Sequence, residues 1–299
     1  MLSAFSSAHF VLPLPAGHRF PMAKYARLHQ RIAESKTIRI KTPPRATDEQ
    51  LALVHSSEYI ESVTTGSLSA EAQRRIGFPW SEAMVERSRR SVGATLQALR
   101  TAMVSGVSVN LAGGTHHAHH SFGSGFCVFN DAAVTARMLQ QEGMIDRALI
   151  IDLDVHQGDG TATIFANDDS VFTFSMHGAS NFPVRKQISD LDVELPDGMG
   201  DEGYLRRLDE SLELIENCFH PDCVIYLAGA DPFEGDRLGK LALSKNGLRQ
   251  RDHRVLEFVR RHHLPVAITM AGGYANDIDD IVDIHYATID LARLHNLSN

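Results

Sequence analysis

From residue 107 onward, five short β-rich, mainly apolar runs punctuate the chain: Val107–Leu111, Ala148–Leu153, Val171–Met176, Val224–Ala228 and Val266–Met270. Their lack of polar alternation predicts strands covered on both faces, as in a parallel sheet flanked by helices. Between them the apolar spacing changes to three and four. Ser81–Val104 sets Val85, Val92, Leu96, Leu99 and Met103 on one helical stripe, and Asp201–Phe219 does the same with Tyr204, Leu208, Leu212, Ile215 and Phe219. Asn130–Glu142, stopped by Gly143, and Arg249–His262 read as two further helices. Pro43-Pro44-Arg45-Ala46-Thr47 reads as a loop before a helix starting near Asp48. With no repeat, low-complexity tract or linker, the pattern predicts one doubly wound α/β domain over residues 1–299, its mainly parallel β-sheet flanked by helices.

Composition narrows the class. At 299 residues, 43% hydrophobic and 22% charged, the chain has the make-up of a globular enzyme. No apolar run is long enough to span a bilayer, and Met1–Phe5 lacks the basic start of a secretory signal, so no membrane partner is expected. Three cysteines, Cys127, Cys218 and Cys223, lack zinc-finger spacing and point to a reduced, cytoplasmic setting. A formal charge of −8 argues against direct nucleic-acid binding and mildly favours a cationic partner such as a lysine-rich tail. The local basic spots Arg87, Arg89 and Arg90, and Arg260 and Arg261, read as solvated helix faces.

The candidate chemistry lies at the ends of the buried runs. His116 and His117 follow the first, in Gly113-Gly114-Thr115-His116-His117-Ala118. Asp152, Asp154 and His156 close the second, Asp231 follows the fourth, and Gly272-Gly273-Tyr274 follows the fifth. Open α/β sheets bind ligands beyond the carboxyl ends of their strands, so these groups are expected to share one site. In an extended strand Asp152, Asp154 and His156 would face one side, and Asp154, His156 and Asp231 would make a plausible catalytic zinc site with an open position. Oxygen-rich ligation suits Fe(II) or Mn(II) as well. Taken singly, each Asp reads as a cap or turn residue; together, buried ionised groups need a metal or a partner. His116 and His117 would flank the open position and move a proton between a metal-activated water and a leaving amine. Asp152 and Asp159 can hold the two rings, Tyr274 offers a donor to a developing oxyanion, and Gly272-Gly273 permits close backbone approach.

The blocks GGTHHA (113–118), GFCVFND (125–131), IDLDVHQGDG (151–160), GADPFEGD (229–236) and AGGY (271–274) resemble, in order, those of the histone deacetylase family. The run Gly235-Asp236-Arg237-Leu238-Gly239 and the compact length are most similar to its class IV branch and bacterial relatives. The resemblance implies the arginase/deacetylase fold and a zinc-dependent deacylase acting on acyl-lysine, in a protein or peptide, or on a related acylated small amine. It implies a metal, Zn2+ or else Fe2+, on Asp154, His156 and Asp231. His117 would be the main base and acid, His116 its electrostatic partner, Asp159 and Asp152 their supports, and Tyr274 the carbonyl-polarising group. Gly125, Phe126 and Phe182 would line an acyl-lysine channel with Gly272 and Gly273, and K+ would sit at Asp152 and Ser175.

Some positions depart from the family pattern. Thr115 stands where many relatives carry an aromatic residue, and Ala271 replaces a glycine. His119 and His120 read as rim or surface residues, and Cys127 as a packed thiol. Two other functions compete: a binuclear manganese amidinohydrolase of the same fold, disfavoured because Asp231-Pro232-Phe233 lacks a second paired Asp, and a catalytically silent acyl-lysine-binding protein. The depth of the channel rests on loops 13–25, 71–82 and 178–190.

Overall fold

A computed structural model describes residues 1–297; the last two residues of the predicted 1–299 domain lie outside them. The chain opens with β1 (Leu2–Phe5), α1 (Ala23–Ser35), β2 (Ile38–Lys41) and three short helices, α2 (Asp48–Leu51), α3 (Ser57–Thr65) and α4 (Ala70–Ile76). The long α5 (Glu82–Ser105) leads into β3 (Val107–Asn110), followed by α6 (Asp131–Gln141), β4 (Ala148–Asp152) and α7 (Asp159–Phe165). Next come β5 (Val171–Gly178), β6 (Leu191–Leu195), α8 (Asp201–Cys218) and β7 (Cys223–Leu227). The described chain closes with α9 (Lys245–Arg261), β8 (Val266–Thr269) and α10 (Ile278–Leu297).

All eight strands form one parallel sheet in the order β2-β1-β3-β8-β7-β4-β5-β6. Successive side chains of a strand point to opposite faces, and that rule divides the core in two. Leu149 and Ile151 of β4 join one apolar cluster with residues of α1, α8, α9 and α10. Ala148 and Ile150 join another with α5 and α6. In β4 and β7 consecutive apolar residues therefore serve two cores that share one sheet, whereas β3 and β5 carry Ser108, Asn110, Thr173 and Ser175 at alternate positions. Removing a large side chain from either core, as in Ile150→Ala, is worth about 2–5 kcal/mol.

The five predicted strands are present, and β1, β2 and β6 extend the sheet at its two ends. These outer strands escape a reading based on apolar runs because Ile38–Lys41 and Leu191–Leu195 interleave charge with hydrophobicity. The helix near Asp48 is one turn, started by a capping box between Thr47 and Gln50. One expectation for the basic spots is corrected. Arg87 and Arg89 of α5 are buried, because the N-terminal loops cross this helix and leave carbonyl oxygens over it. Arg87 donates to the Phe10 carbonyl at 3.2 Å and lies 4.2 Å from the Tyr25 ring centroid. Arg89 donates to the Ala46 carbonyl at 3.2 Å and the Thr64 hydroxyl at 2.8 Å. Arg260 and Arg261 are exposed, as read.

Candidate metal centre and catalytic site

The strands that carry the candidate residues, β3, β8, β7, β4 and β5, are consecutive in the sheet. Their carboxyl ends thus converge on one floor, although the residues are spread from 116 to 274. The expectation of one continuous extended strand through His156 needs correcting. β4 ends at Asp152, and residues 154–156 turn away in bends fixed by backbone donors. The His156 N–H donates to Asp154 Oδ1 at 2.9 Å, and the Val155 N–H to Asp231 Oδ1 at 2.9 Å. Gly272 N–H donates to Asp154 Oδ2 at 2.8 Å. A Cβ at Gly272 would meet Asp231 Oδ2 at 1.9 Å and Asp154 Oδ2 at 2.6 Å, so only glycine lets the backbone come this close.

Asp154, His156 and Asp231 are buried, with one donor atom from each lying within 4.8 Å of the others. His156 Nδ1 is 2.9 Å from Asp154 Oδ1 and 3.3 Å from Asp231 Oδ2. Asp231 Oδ2 has no hydrogen-bond donor although it is fully buried. Burial, and then the charge of Asp154, raise the Asp231 carboxyl to about 7. Two buried carboxylates and an imidazole aimed at one point, with an orphaned oxygen, are the donor set of a cation site. Here they fit a metal ion.

Beside this group sit two histidine–aspartate pairs. His116 Nδ1 lies 2.6 Å from Asp152 Oδ2, and His117 Nδ1 lies 2.6 Å from Asp159 Oδ1. The ring centroids are 4.1 Å apart. Their environments differ in charge. Burial pushes His117 down to about 4, helped by His116 and opposed by Asp159. Burial works against charge on His116 too, yet the Asp152 and Asp154 carboxylates override it and raise the ring to about 9. Burial thus favours the neutral form of the His117 ring, and the two carboxylates favour the charged form of His116. Ser175 lies directly across from Asp152 in the β4–β5 register, its hydroxyl 3.0 Å from His177 Nδ1.

Above the floor opens a cavity of about 550 Å³. His116, His117, Asp154, His156, Gly125, Phe126, Phe182, Gly272 and Tyr274 line it. Gly273 does not: its carbonyl is turned back and accepts from Lys24 Nζ at 3.2 Å, so its reading as a channel residue is corrected. Phe182 is half-exposed at the entrance, edge-on to His117 at 4.8 Å between centroids. Phe126, at φ +66°, lies within 6.0 Å of the Tyr274 ring. The Tyr274 hydroxyl is raised well above its ordinary value by burial and by the Asp154 and Asp231 charges, so it stays a donor. Cys127 is a buried thiol, pushed well up by burial, as its packed reading requires.

Two departures from the family pattern have structural counterparts. Ala271 adopts φ +50° against Gly114, whose own Cβ would lie 2.4 Å from that of Ala271; one small residue fits, not two. Thr115 binds Asp131, donating its N–H to Oδ1 at 2.7 Å with its hydroxyl 2.6 Å from the same oxygen. His120 is exposed, as read, but His119 is buried. It lies 3.3 Å from Asp159 Oδ2 and 2.7 Å from the Thr163 hydroxyl, stacked on Phe122 at 4.2 Å. The loop folds back onto α7 and carries it inward, a turn that tandem spacing does not reveal.

Several supporting residues went unassigned in the sequence. Asp236 Oδ2 accepts the Tyr274 N–H at 2.6 Å, and Arg237 Nε donates to the Tyr274 carbonyl at 2.8 Å. Lys24 Nζ, from α1, donates to Gly273 and to the Ala271 carbonyl at 3.4 Å, under the Tyr274 ring. Asp236 and Asp131 lie within the matching blocks, where the signal existed; Lys24 sits in a segment with none. The cavity mouth is lined by Arg19, Arg74, Arg75 and Lys240, although the chain as a whole carries net negative charge.

Fold and site together define an α/β protein of the hydrolase type, with a buried cation-binding group set beside paired histidines. Residues 18–289 match the histone deacetylase domain family. The chain is 47% identical over 279 residues to an uncharacterized protein of Picosynechococcus sp., covering 92% of this chain and 93% of that protein. It is 31% identical to histone deacetylase 2 of Arabidopsis thaliana over 277 residues, 86% of this chain and 70% of the relative. The crystal structure of an HDAC homologue from Aquifex aeolicus superposes with a TM-score of 0.84 at 26% identity, over 98% of this chain and 84% of that one. An HDAC homologue complexed with SAHA gives the same values. The chain belongs to the histone deacetylase family.

Proposed function

We propose that this protein is a zinc-dependent deacylase that hydrolyses the amide of an acyl-lysine, in a protein or peptide, or of a related acylated small amine. The observation that carries the reading is the Asp159-bound His117 ring 5.9 Å from His156 of the Asp154–His156–Asp231 group, with the Tyr274 ring 6.4 Å from that same His156 in one cavity. SAHA bound to a related HDAC homologue supports a substrate of this shape. Asp154, His156 and Asp231 would hold Zn2+, with Fe2+ suited to the same donors, and a metal there supplies Lewis-acid polarisation of the carbonyl and a more acidic attacking water. A monovalent cation such as K+ at Asp152 and Ser175 belongs to the same reading.

His117 receives the proton from the attacking water and returns it to the departing amine nitrogen, so the amide and water become a carboxylic acid and an amine. Its Nδ1 donates to Asp159, which leaves Nε2 as the working atom. His116, held charged by Asp152, steadies negative charge in the transition state. Tyr274 donates to the developing oxyanion from a backbone pinned by Asp236, Arg237 and Lys24. Phe126, Phe182 and Gly125 hold the acyl-lysine stem, and a Cβ at Gly125 would strike His117 at 2.6 Å. The test is hydrolysis of an acetyl-lysine peptide by zinc-loaded protein, wild type against H117A. Loss in the variant with metal content unchanged supports the reading; equal activity of the two overturns it.

A further inference from the structure

The mouth of the cavity carries charge opposite to the molecule as a whole. Arg19 comes from the loop before α1, Arg74 and Arg75 from the last turn of α4, and Lys240 from the loop before α9. The one carboxylate lining the cavity among the described residues is Asp154, at the floor. Arg75 is 3.2 Å from Glu71, and Lys240 is 4.0 Å from Asp197, so these two are partly neutralised. Arg19 and Arg74 are exposed and form no ion pair among the described residues. A basic last turn complements a helix dipole, which accounts for α4 alone. It does not account for cations from two other segments arriving at the same rim of a protein with formal charge −8.

Resting on the deacylase reading, we infer that the preferred substrate carries a carboxylate next to its acylated amine arm, as an acidic residue flanking acyl-lysine or a free α-carboxylate. An acyl-lysine whose amide reaches the floor leaves its α-carbon and neighbours at the rim, where Arg19 and Arg74 stand. Apolar walls such as Phe126 and Phe182 concentrate the field of those charges at the entrance. The same field opposes an acylated polyamine or a lysine-rich tail, whose remaining ammonium groups would meet like charge. Rim charges act mainly on encounter and are screened by salt.

The test uses metal-loaded full-length protein and acetyl-lysine peptides of equal length with Asp, Gln or Lys flanks. A blocked acetyl-lysine with a free or amidated α-carboxyl group, and acetylspermidine, complete the set. kcat/KM is expected to fall by about fivefold or more from Asp to Lys flanks at low salt, and the spread to shrink at 0.5 M salt, about a 4 Å Debye length. The α-carboxylate pair separates the two sources of the anion. In R19E/R74E the Asp-to-Lys ratio is expected to invert. Equal or better hydrolysis of Lys-flanked peptide or acetylspermidine by the wild type overturns the inference, as does an unchanged ratio in the double variant. If no acylated substrate is cleaved, the deacylase reading fails on its own; fluorescence anisotropy with the same peptides still ranks their binding and decides the rim assignment.

Discussion

The floor and the mouth of this cavity are built on opposite terms. At the floor almost every polar atom is spoken for: Asp152, Asp154, Asp159 and Asp231 each take bonds from rings or backbone donors placed by strand ends. At the mouth, Phe182 is 43% exposed, and the charges stand on two loops and the last turn of α4. Chemistry demands atoms fixed to within a few tenths of an ångström, which a buried sheet supplies. Selectivity needs only a shape and a field, and these can change from relative to relative without disturbing the core.

That contrast is open to attack, beginning where the expected effect is largest. Asp154→Asn removes a ligand charge and should abolish both zinc retention, measured by elemental analysis after dialysis, and turnover of every substrate. Retention of stoichiometric zinc would remove Asp154 from the ligand set. Tyr274→Phe should keep the metal yet lower kcat by about 10²–10³, with KM little changed, in steady-state assays on a neutral peptide. An effect confined to KM would move Tyr274 from the floor's work to substrate binding.

A third test uses stability. His55 donates from Nδ1 to the His119 carbonyl at 2.9 Å, and its Nε2 accepts the Asn130 N–H at 3.0 Å. Both nitrogens are thus committed to the neutral ring. Burial lowers its pKa from 6.5 to about 4, against the raising effect of backbone bonds. The unfolded chain therefore takes up a proton below about pH 6.5 that the folded ring refuses down to about 4. Stability from this group is complete above the upper value and falls as pH drops through the window, by about 3 kcal/mol at most. His55→Gln should flatten that part of the urea midpoint against pH; an unaltered slope would assign the acid sensitivity elsewhere. The smallest effect is expected from His119→Phe, which keeps the stack on Phe122 but frees Asp159 Oδ2. Undivided, Asp159 should raise the affinity of His117 for its proton, shifting the acidic limb of kcat/KM to higher pH with a modest loss of kcat. No shift would leave His119 as packing alone.

The same contrast governs what could be read from sequence. Asp154, His156, Asp231 and Tyr274 were found because each follows an apolar run, and the fold repeats that arrangement strand by strand. β2 and β6 were missed because strands toward the ends of the sheet tolerate charge, and β1 because Leu2–Phe5 is short and broken by Ser3. His119 and Lys24 were missed for another reason: their places depend on a loop folding back and on a helix docking from residues 23–35. The charge at the mouth had no sequence signal, because net charge sums over the whole surface and says nothing about where four cations gather.

One consequence concerns how the chain reaches this state. The cation group draws on β4 and β7, adjacent strands whose register pairs Asp152 with Leu227, 75 positions apart in the chain. Neither half holds a usable set of donors alone. On the zinc reading, metal uptake would be a clock for folding: ion capture would wait until the sheet's central pairing is made, the slow, long-range step in a chain of this topology. A stopped-flow trace of zinc binding during refolding would report that step directly, while helix signals rise ahead of it.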